Sequence, residues 1–200
     1  MSISYENRGR IHQKARTRAA LITAARRLLS EGQLPSVEQA AAQASISRPT
    51  AYRYFANQRA LLMAANPEVT MPSLLGPDAS DDPVERLDET ARLLTDLVLQ
   101  NEAALRAMLR LSLESTHHRE NLVMRTGRRI VWVQDAIAPL ESRMTPEKFR
   151  ALVLRLAMVL GIESLAWLTD IAQVPRDEAA AIMRQSAHDM LTTTMTSLES

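Results

Sequence analysis

Apolar positions recur at helical spacing along most of the chain, and nothing alternates with period two for long. Leu21, Ala24 and Leu28 share one face of a segment from about Arg10 to Ser30, with Arg16, Arg26 and Arg27 mostly off it. Gly32 and Pro35 end that segment. A short helix is predicted over Ser36–Gln43, where Ser36 and Gln39 have the spacing of a capping box. Another runs from Ser47, read as a second cap, to Tyr54; Pro49 fits its first turn, where a missing N–H costs nothing. A fourth spans Asn57 to about Ala65. The stretch from Asn66 to Pro83 holds four prolines, one glycine and four acidic residues, and reads as a loop or linker.

Beyond it the pattern stays helical. Val84, Leu87, Ala91, Leu94 and Val98 mark a helix up to Asn101, and Leu105, Met108, Leu109 and Leu113 mark the next, over Glu102–Ser115. A longer one starts near Glu120 and ends or kinks near Pro139. From Ala151 to Asp170 the sequence is largely apolar, so one helix covered on more than one side is expected. A last amphipathic helix runs from Pro175 to about Thr194. The reading is all-α: a head over 1–65, a linker over 66–83, and a larger helical body over 84–200.

Charge sharpens this division. The net charge of +1 hides a balance of +7 in residues 1–66, from ten Lys/Arg and three Asp/Glu, and of −6 in residues 67–200, from fourteen and twenty. A basic module facing a polyanion and an acidic module with another task are expected. Hydrophobic residues make up 46% of the chain, enough for a real core. There is no cysteine, which removes disulfides, thiolate zinc sites and thiol nucleophiles. The N-terminal residues lack the apolar run of a secretory signal, and the longest apolar run, Leu156–Ile162, is too short to span a bilayer. A cytoplasmic protein is expected, with no membrane association.

The stretch SISRPTAYRYF, Ser45 to Phe55, carries the distinctive chemistry. Two short helices joined by Ala44, Ser45 and Ile46 have the length and spacing of a helix-turn-helix, whose second helix enters the major groove of double-stranded DNA. Arg48 suits a guanine edge and Pro49 a thymine methyl. Thr50, Tyr52, Arg53 and Tyr54 suit phosphate oxygens, as do the helix starts at Ser36 and Ser47 and the flanking Thr17, Arg18 and Arg59. Ala44, Ile46, Ala51 and Phe55 read as packing, and Tyr52 as partly buried with its hydroxyl outside. Arg8, Arg10 and Lys14 form either a basic arm along the DNA or a solubilising tail.

With these motifs, residues 12–62 resemble the DNA-binding domain of the TetR family of transcriptional regulators. The match lies in the basic first helix, PSVEQAA (35–41), SISRPTAYRYF (45–55) and NQRALL (57–62), about a quarter of the chain. The resemblance implies a homodimeric, mostly repressing regulator whose C-terminal helical domain binds a small-molecule effector. It also implies phosphate contacts from Thr50, Tyr52 and Tyr54, and from Arg59 where the family has lysine. The family's turn is usually Ala-Gly; this chain has Ala44-Ser45, without glycine's conformational freedom.

For the body, the expected dimer interface draws on Leu156, Val159, Leu160 and Trp167 of one helix and Met190 of another, as four helices from two subunits. The alternative is that these residues belong to the intramolecular core. A ligand pocket among the middle helices would use Met108, Leu109, Leu113, Met124, Trp132 and Glu163. Glu163 interrupts an apolar helix and suits a cationic ligand, a pairing with Arg155 or Arg129, or an interface edge. His117 and His118 point in different directions on a helix and have no partner set, so no metal site and no cofactor is expected. No serine–histidine–acid set or glycine-rich phosphate loop is present, and no catalytic residue is assigned. The expected function is a sequence-specific DNA-binding regulator, a repressor released from an inverted repeat by a ligand. The alternatives are a helical protein–protein adaptor and a DNA-binding regulator without ligand sensing.

Overall fold

Helix boundaries in the computed structural model follow the capping chemistry of the sequence. The structure describes residues 3–65, 71–114 and 128–199. Ten α-helices, and no strand, occur among the described residues. The chain divides into two units, residues 1–70 with 110–124 and residues 71–109 with 125–200.

In the first unit, α1 (Ile3–Ser30), α2 (Val37–Gln43), α3 (Arg48–Tyr54) and α4 (Gln58–Ala65) follow one another. α1 begins well before Arg10, so the backbone of the basic N-terminal residues is helical. It ends in a Schellman motif: Gly32, at φ 74°, donates its N–H to Leu29 O, and Gln33 donates to Leu28 O. Ser36 caps α2 in a complete capping box, its hydroxyl accepting from Gln39 N–H at 3.2 Å while its own N–H donates to Gln39 Oε1 at 2.7 Å. α4 starts at Asn57, whose side-chain oxygen accepts from Ala60 N–H at 2.9 Å. Arg26 donates to Ala65 O at 2.8 Å, satisfying a carbonyl at the end of α4. α1 packs on α2 and α4, and α2 on α3. The buried side chains are Leu21, Ala25 and Leu28 of α1, Val37 and Ala40 of α2, Ala51 and Phe55 around α3, and Leu61 and Leu62 of α4.

The second unit contains α5 (Pro83–Gln100), most of α6 (Glu102–Glu114), α7 (Arg128–Ala136), α8 (Pro146–Val159), α9 (Ile162–Ala166) and α10 (Arg176–Glu199). Residues 71–82 form no helix, as their prolines require, yet they are fastened into this unit. The Trp132 indole donates to Met71 O at 2.9 Å, the Ser73 hydroxyl donates to Asp135 Oδ2 at 2.6 Å, and Leu74 and Leu75 pack on the core. Arg86 donates to the carbonyls of Asp135 and Ala136, both at 2.9 Å, and of Ser80 at 3.2 Å, which closes the end of α7 and ties the segment down. Asp82 caps α5, and Thr145 caps α8 ahead of Pro146. α7 stops before Pro139, which lies in a 3-10 turn over Ala138–Arg143. The core joins Leu87, Ala91 and Leu94 of α5 to Val133 and Ile137, to Phe149, Leu152 and Leu156 of α8, and to Ala187 and Leu191 of α10.

The single helix expected over Ala151–Asp170 is broken. α8 ends at Val159, Leu160 and Gly161 form the break, and α9 passes into a π-turn over Trp167–Ile171, closed by Ala172 N–H donating to Trp167 O at 3.0 Å. Ser164 donates its hydroxyl to Met158 O at 2.9 Å, so a carbonyl released by the break keeps a partner. Gly161 is extended, at φ −115° and ψ 172°, so its backbone suits any residue. A Cβ there would run into the Arg129 guanidinium and the Glu163 carboxylate, which pair at 3.1 Å beside the break. Around α6, Arg106 links Glu102 at 2.7 Å to Asp170 at 2.6 Å, and Arg176 joins Glu102 at 2.5 Å. The hydrogen bond from Arg106, helped by the Thr169 hydroxyl, holds the Asp170 carboxyl below the usual carboxylate range.

Among the described residues, no single helix is long and apolar enough to cross a membrane, and no group of three or more His, Cys, Asp or Glu is placed to hold a metal ion.

Candidate nucleic-acid interface

The turn between α2 and α3 is made without glycine, at the position where the chain departs from the resembled family. Ser45 has φ 55°, in the left-handed region. It donates its N–H to Ala42 O at 3.1 Å, and Ile46 donates to Ala41 O at 2.8 Å, which completes a second Schellman motif with serine in glycine's place. A side chain in that region costs energy that glycine avoids. Ser45→Gly is therefore expected to raise the stability of the first unit by about 1 kcal/mol, less what glycine's freedom costs the unfolded chain. The urea midpoint of the purified chain measures it. A midpoint lowered by about 1 kcal/mol, the full cost of glycine's freedom in the unfolded chain, would show that the turn carries no strain.

α3 sorts its side chains by helical position. Ala51 and Phe55, four residues apart, are buried against the rest of the unit. Arg48, Pro49, Tyr52 and Arg53 are exposed: Pro49 and Arg53 lie opposite that buried pair, Arg48 and Tyr52 border it on the side of α2, where they meet Glu38, and Thr50 and Tyr54 are half-buried. The residues expected to touch base edges are thus exposed. Ala44 and Ile46 are half-buried, in keeping with a packing role at the turn. Thr17 is half-buried and Arg18 and Arg59 are exposed; Arg18 lies over the Phe55 ring, 5.4 Å from its centroid.

Several local roles differ from the sequence reading. Ser47 occupies the cap position of α3 but makes no capping hydrogen bond; its hydroxyl donates to the Thr50 hydroxyl at 2.8 Å. With Pro49 in the first turn one backbone N–H is already missing, so the serine has one donor fewer to cap. The Ser36 hydroxyl is committed to the capping box. Tyr52 is 38% exposed, so much of it is covered, and its hydroxyl donates to Glu38 Oε1 at 2.5 Å. The Arg48 guanidinium pairs with the same oxygen at 2.9 Å and lies 5.8 Å from the Tyr52 ring centroid.

Glu38 is the residue the sequence reading missed. It lies in the first turn of α2, ten positions before Arg48, and only the packing of α2 on α3 brings the two together. The Tyr52 hydrogen bond holds its carboxyl below the usual range, and the same bond raises the Tyr52 phenol. The only advance signal was charge, since Glu38 is the sole acidic residue between Gly32 and Ala65.

The residues singled out in the body are not gathered into one site. Trp132 is buried in the core with its indole hydrogen-bonded to Met71. Leu109 packs with Val98, Ile162 and Leu165, and Met108 is half-buried. Leu113 is 76% exposed. Glu163 pairs with Arg129, one of the partners expected for it. Met124, His117 and His118 lie outside the described residues. Of the interface residues, Leu156 and Leu160 are fully buried within the single chain, so they belong to its own core and no second copy can reach them. Val159 and Met190 are half-buried at the edge of that core. Trp167 is 59% exposed, with Met158 and Ile171 also outward.

Compared with protein-family models, with curated proteins and with solved structures, the chain gives no match.

Proposed function

We propose that the chain is a sequence-specific DNA-binding transcriptional regulator whose first unit works as a TetR-like helix-turn-helix head. The observation that carries this reading is the exposure of Arg48, Pro49, Tyr52 and Arg53 together on α3, a short helix anchored by the buried Ala51 and Phe55. Such a face offers a bidentate donor for a guanine edge and hydroxyl and guanidinium donors for phosphates. The +7 balance of residues 1–66 supplies the long-range attraction. Thr17, Arg18, Thr50, Tyr54 and Arg59 flank the face as phosphate contacts.

Two copies act together in this reading, matching an inverted repeat by two-fold symmetry. Trp167, with Met158 and Ile171, is the apolar surface by which they meet, and Val159 and Met190 border it. The second unit is the regulatory body, and release of DNA by a small-molecule effector is the mode the family resemblance suggests. Selection of bound duplexes from a random pool by the purified chain is expected to return an inverted repeat. A pool without consensus would reject sequence-specific reading and favour a protein-binding adaptor that uses the same tyrosines and arginines on an acidic partner.

A further inference from the structure

Glu38 stands where a DNA-reading face has least use for a carboxylate. One of its oxygens receives both the Tyr52 hydroxyl and the Arg48 guanidinium, at 2.5 and 2.9 Å, and the guanidinium also lies over the Tyr52 ring. The three side chains close a triangle across α2 and α3, on the outward side of both. Arg48 remains 70% exposed within it, so the pair is solvated, weakly held and open to exchange.

We propose that Glu38 is a positioning residue that sets the sequence discrimination of the α3 face, by withholding Arg48 and Tyr52 from phosphate while leaving the free donors of the Arg48 fork to meet a base edge. The inference rests on the DNA-binding reading above. Two physical consequences carry it. The carboxylate cancels the charge of Arg48 at close range, so a passing phosphate gains little from that arginine and is repelled by Glu38 itself. Non-specific binding, which draws on phosphate neutralisation, therefore loses one cation for each head. A guanine edge is uncharged and offers two acceptors side by side. The guanidinium has five N–H donors in a rigid fork, and one engaged by Glu38 leaves others to meet that edge with the fork's orientation already set. The carboxylate thus penalises the wrong contact more than the right one, which is how specificity arises when attraction alone is indiscriminate.

The test measures binding of the full chain to the selected duplex and to a scrambled duplex across a salt series, by fluorescence anisotropy. The proteins are the wild type, Glu38→Gln, Arg48→Ala and the double variant. Glutamine keeps the shape of Glu38 at a half-buried first-turn position, and equal thermal melts establish that the fold is intact. One added phosphate contact multiplies affinity by about fivefold at about 0.15 M salt, and steepens the log–log salt slope by about 0.9 for each head engaged. Glu38→Gln is expected to tighten the scrambled duplex by that factor and the selected duplex by less, so the discrimination ratio falls. In the Arg48→Ala background the same change adds no cation for phosphate, so it is expected to relieve only the carboxylate's repulsion, tightening both duplexes alike and leaving the discrimination ratio unaltered.

If the wild type discriminates and Glu38→Gln changes neither ratio nor slope, or weakens the scrambled duplex, the role of Glu38 is overturned while the DNA-binding reading stands. If the wild type shows no discrimination and no salt dependence on any duplex, the DNA-binding reading fails and takes this inference with it.

Discussion

Leu156→Ala is expected to cost about 2–5 kcal/mol of unfolding free energy, the range for truncating a fully buried leucine. Its side chain has no exposure and packs among Leu87, Val133, Phe149, Leu152 and Leu191, so the lost methyl groups leave a cavity lined by several helices. Against a total stability of about 5–15 kcal/mol for a typical domain, the loss is large enough to move the urea midpoint far to the left. Trp167→Ala provides the contrast. An exposed tryptophan contributes little to the folding of a single copy, so the midpoint at low protein concentration is expected to shift by no more than about 0.5 kcal/mol equivalent. Its effect is expected instead on self-association, as a loss of the dimer in sedimentation at concentrations where the wild type is paired. A Trp167→Ala protein that unfolds as readily as Leu156→Ala would place the indole in the core and remove the proposed meeting surface.

Arg48→Ala is expected to lower the affinity for the selected inverted repeat by about 1–3 kcal/mol for each head, and to weaken scrambled duplex by less, through the Glu38 charge it leaves unmatched. Arg48 contributes base recognition in the proposed reading, and in the unbound chain its charge is already matched by Glu38. Arg53→Ala should behave differently. Arg53 is exposed in the last turn of α3, and as a phosphate contact its loss weakens all duplexes to a similar degree, reducing the salt slope by about 1 for each head. Titration of both variants against both duplexes over a salt series separates the two. Equal, sequence-independent weakening by both would assign both arginines to phosphate and leave base reading to other residues.

Much of the local structure was legible along the chain, because it depends on neighbours in sequence. The serine and glutamine three apart at Ser36 and Gln39, proline in the first turn at Pro49, glycine after Ser30 and the prolines of residues 71–83 each act within a few residues, and the helices begin and end accordingly. The outward placement of Pro49 and Arg53 was also readable, since Ala51 and Phe55 fix the inner side of α3 by periodicity, whereas Arg48 and Tyr52 share that inner stripe in sequence and are left exposed beside α2 only by the packing. Ser45 was visible as a departure from the family's turn, but that it takes a left-handed conformation is a property of the closed Schellman motif.

Other features depend on what lies across space. The apolar run from Ala151 to Asp170 has no helix-breaking proline, and its only glycine, Gly161, has ordinary extended dihedrals. The break there lies beside the Arg129–Glu163 pair, whose members are distant in sequence. Leu156 and Trp167 carry the same apolar signal, and only the packing of α7 and α10 on α8 makes one core and leaves the other exposed. Glu38 read as an ordinary first-turn acid until α2 packed on α3 and put its carboxylate against Arg48 and Tyr52. The sequence by itself determined the all-α class, the capped ends and the outward placement of Pro49 and Arg53 on α3, because hydrogen bonding and periodicity act over one or two turns. The tertiary structure decided the helix break, the division of apolar side chains between core and surface, and the partner of Arg48, because burial and ion pairing depend on which distant residues meet.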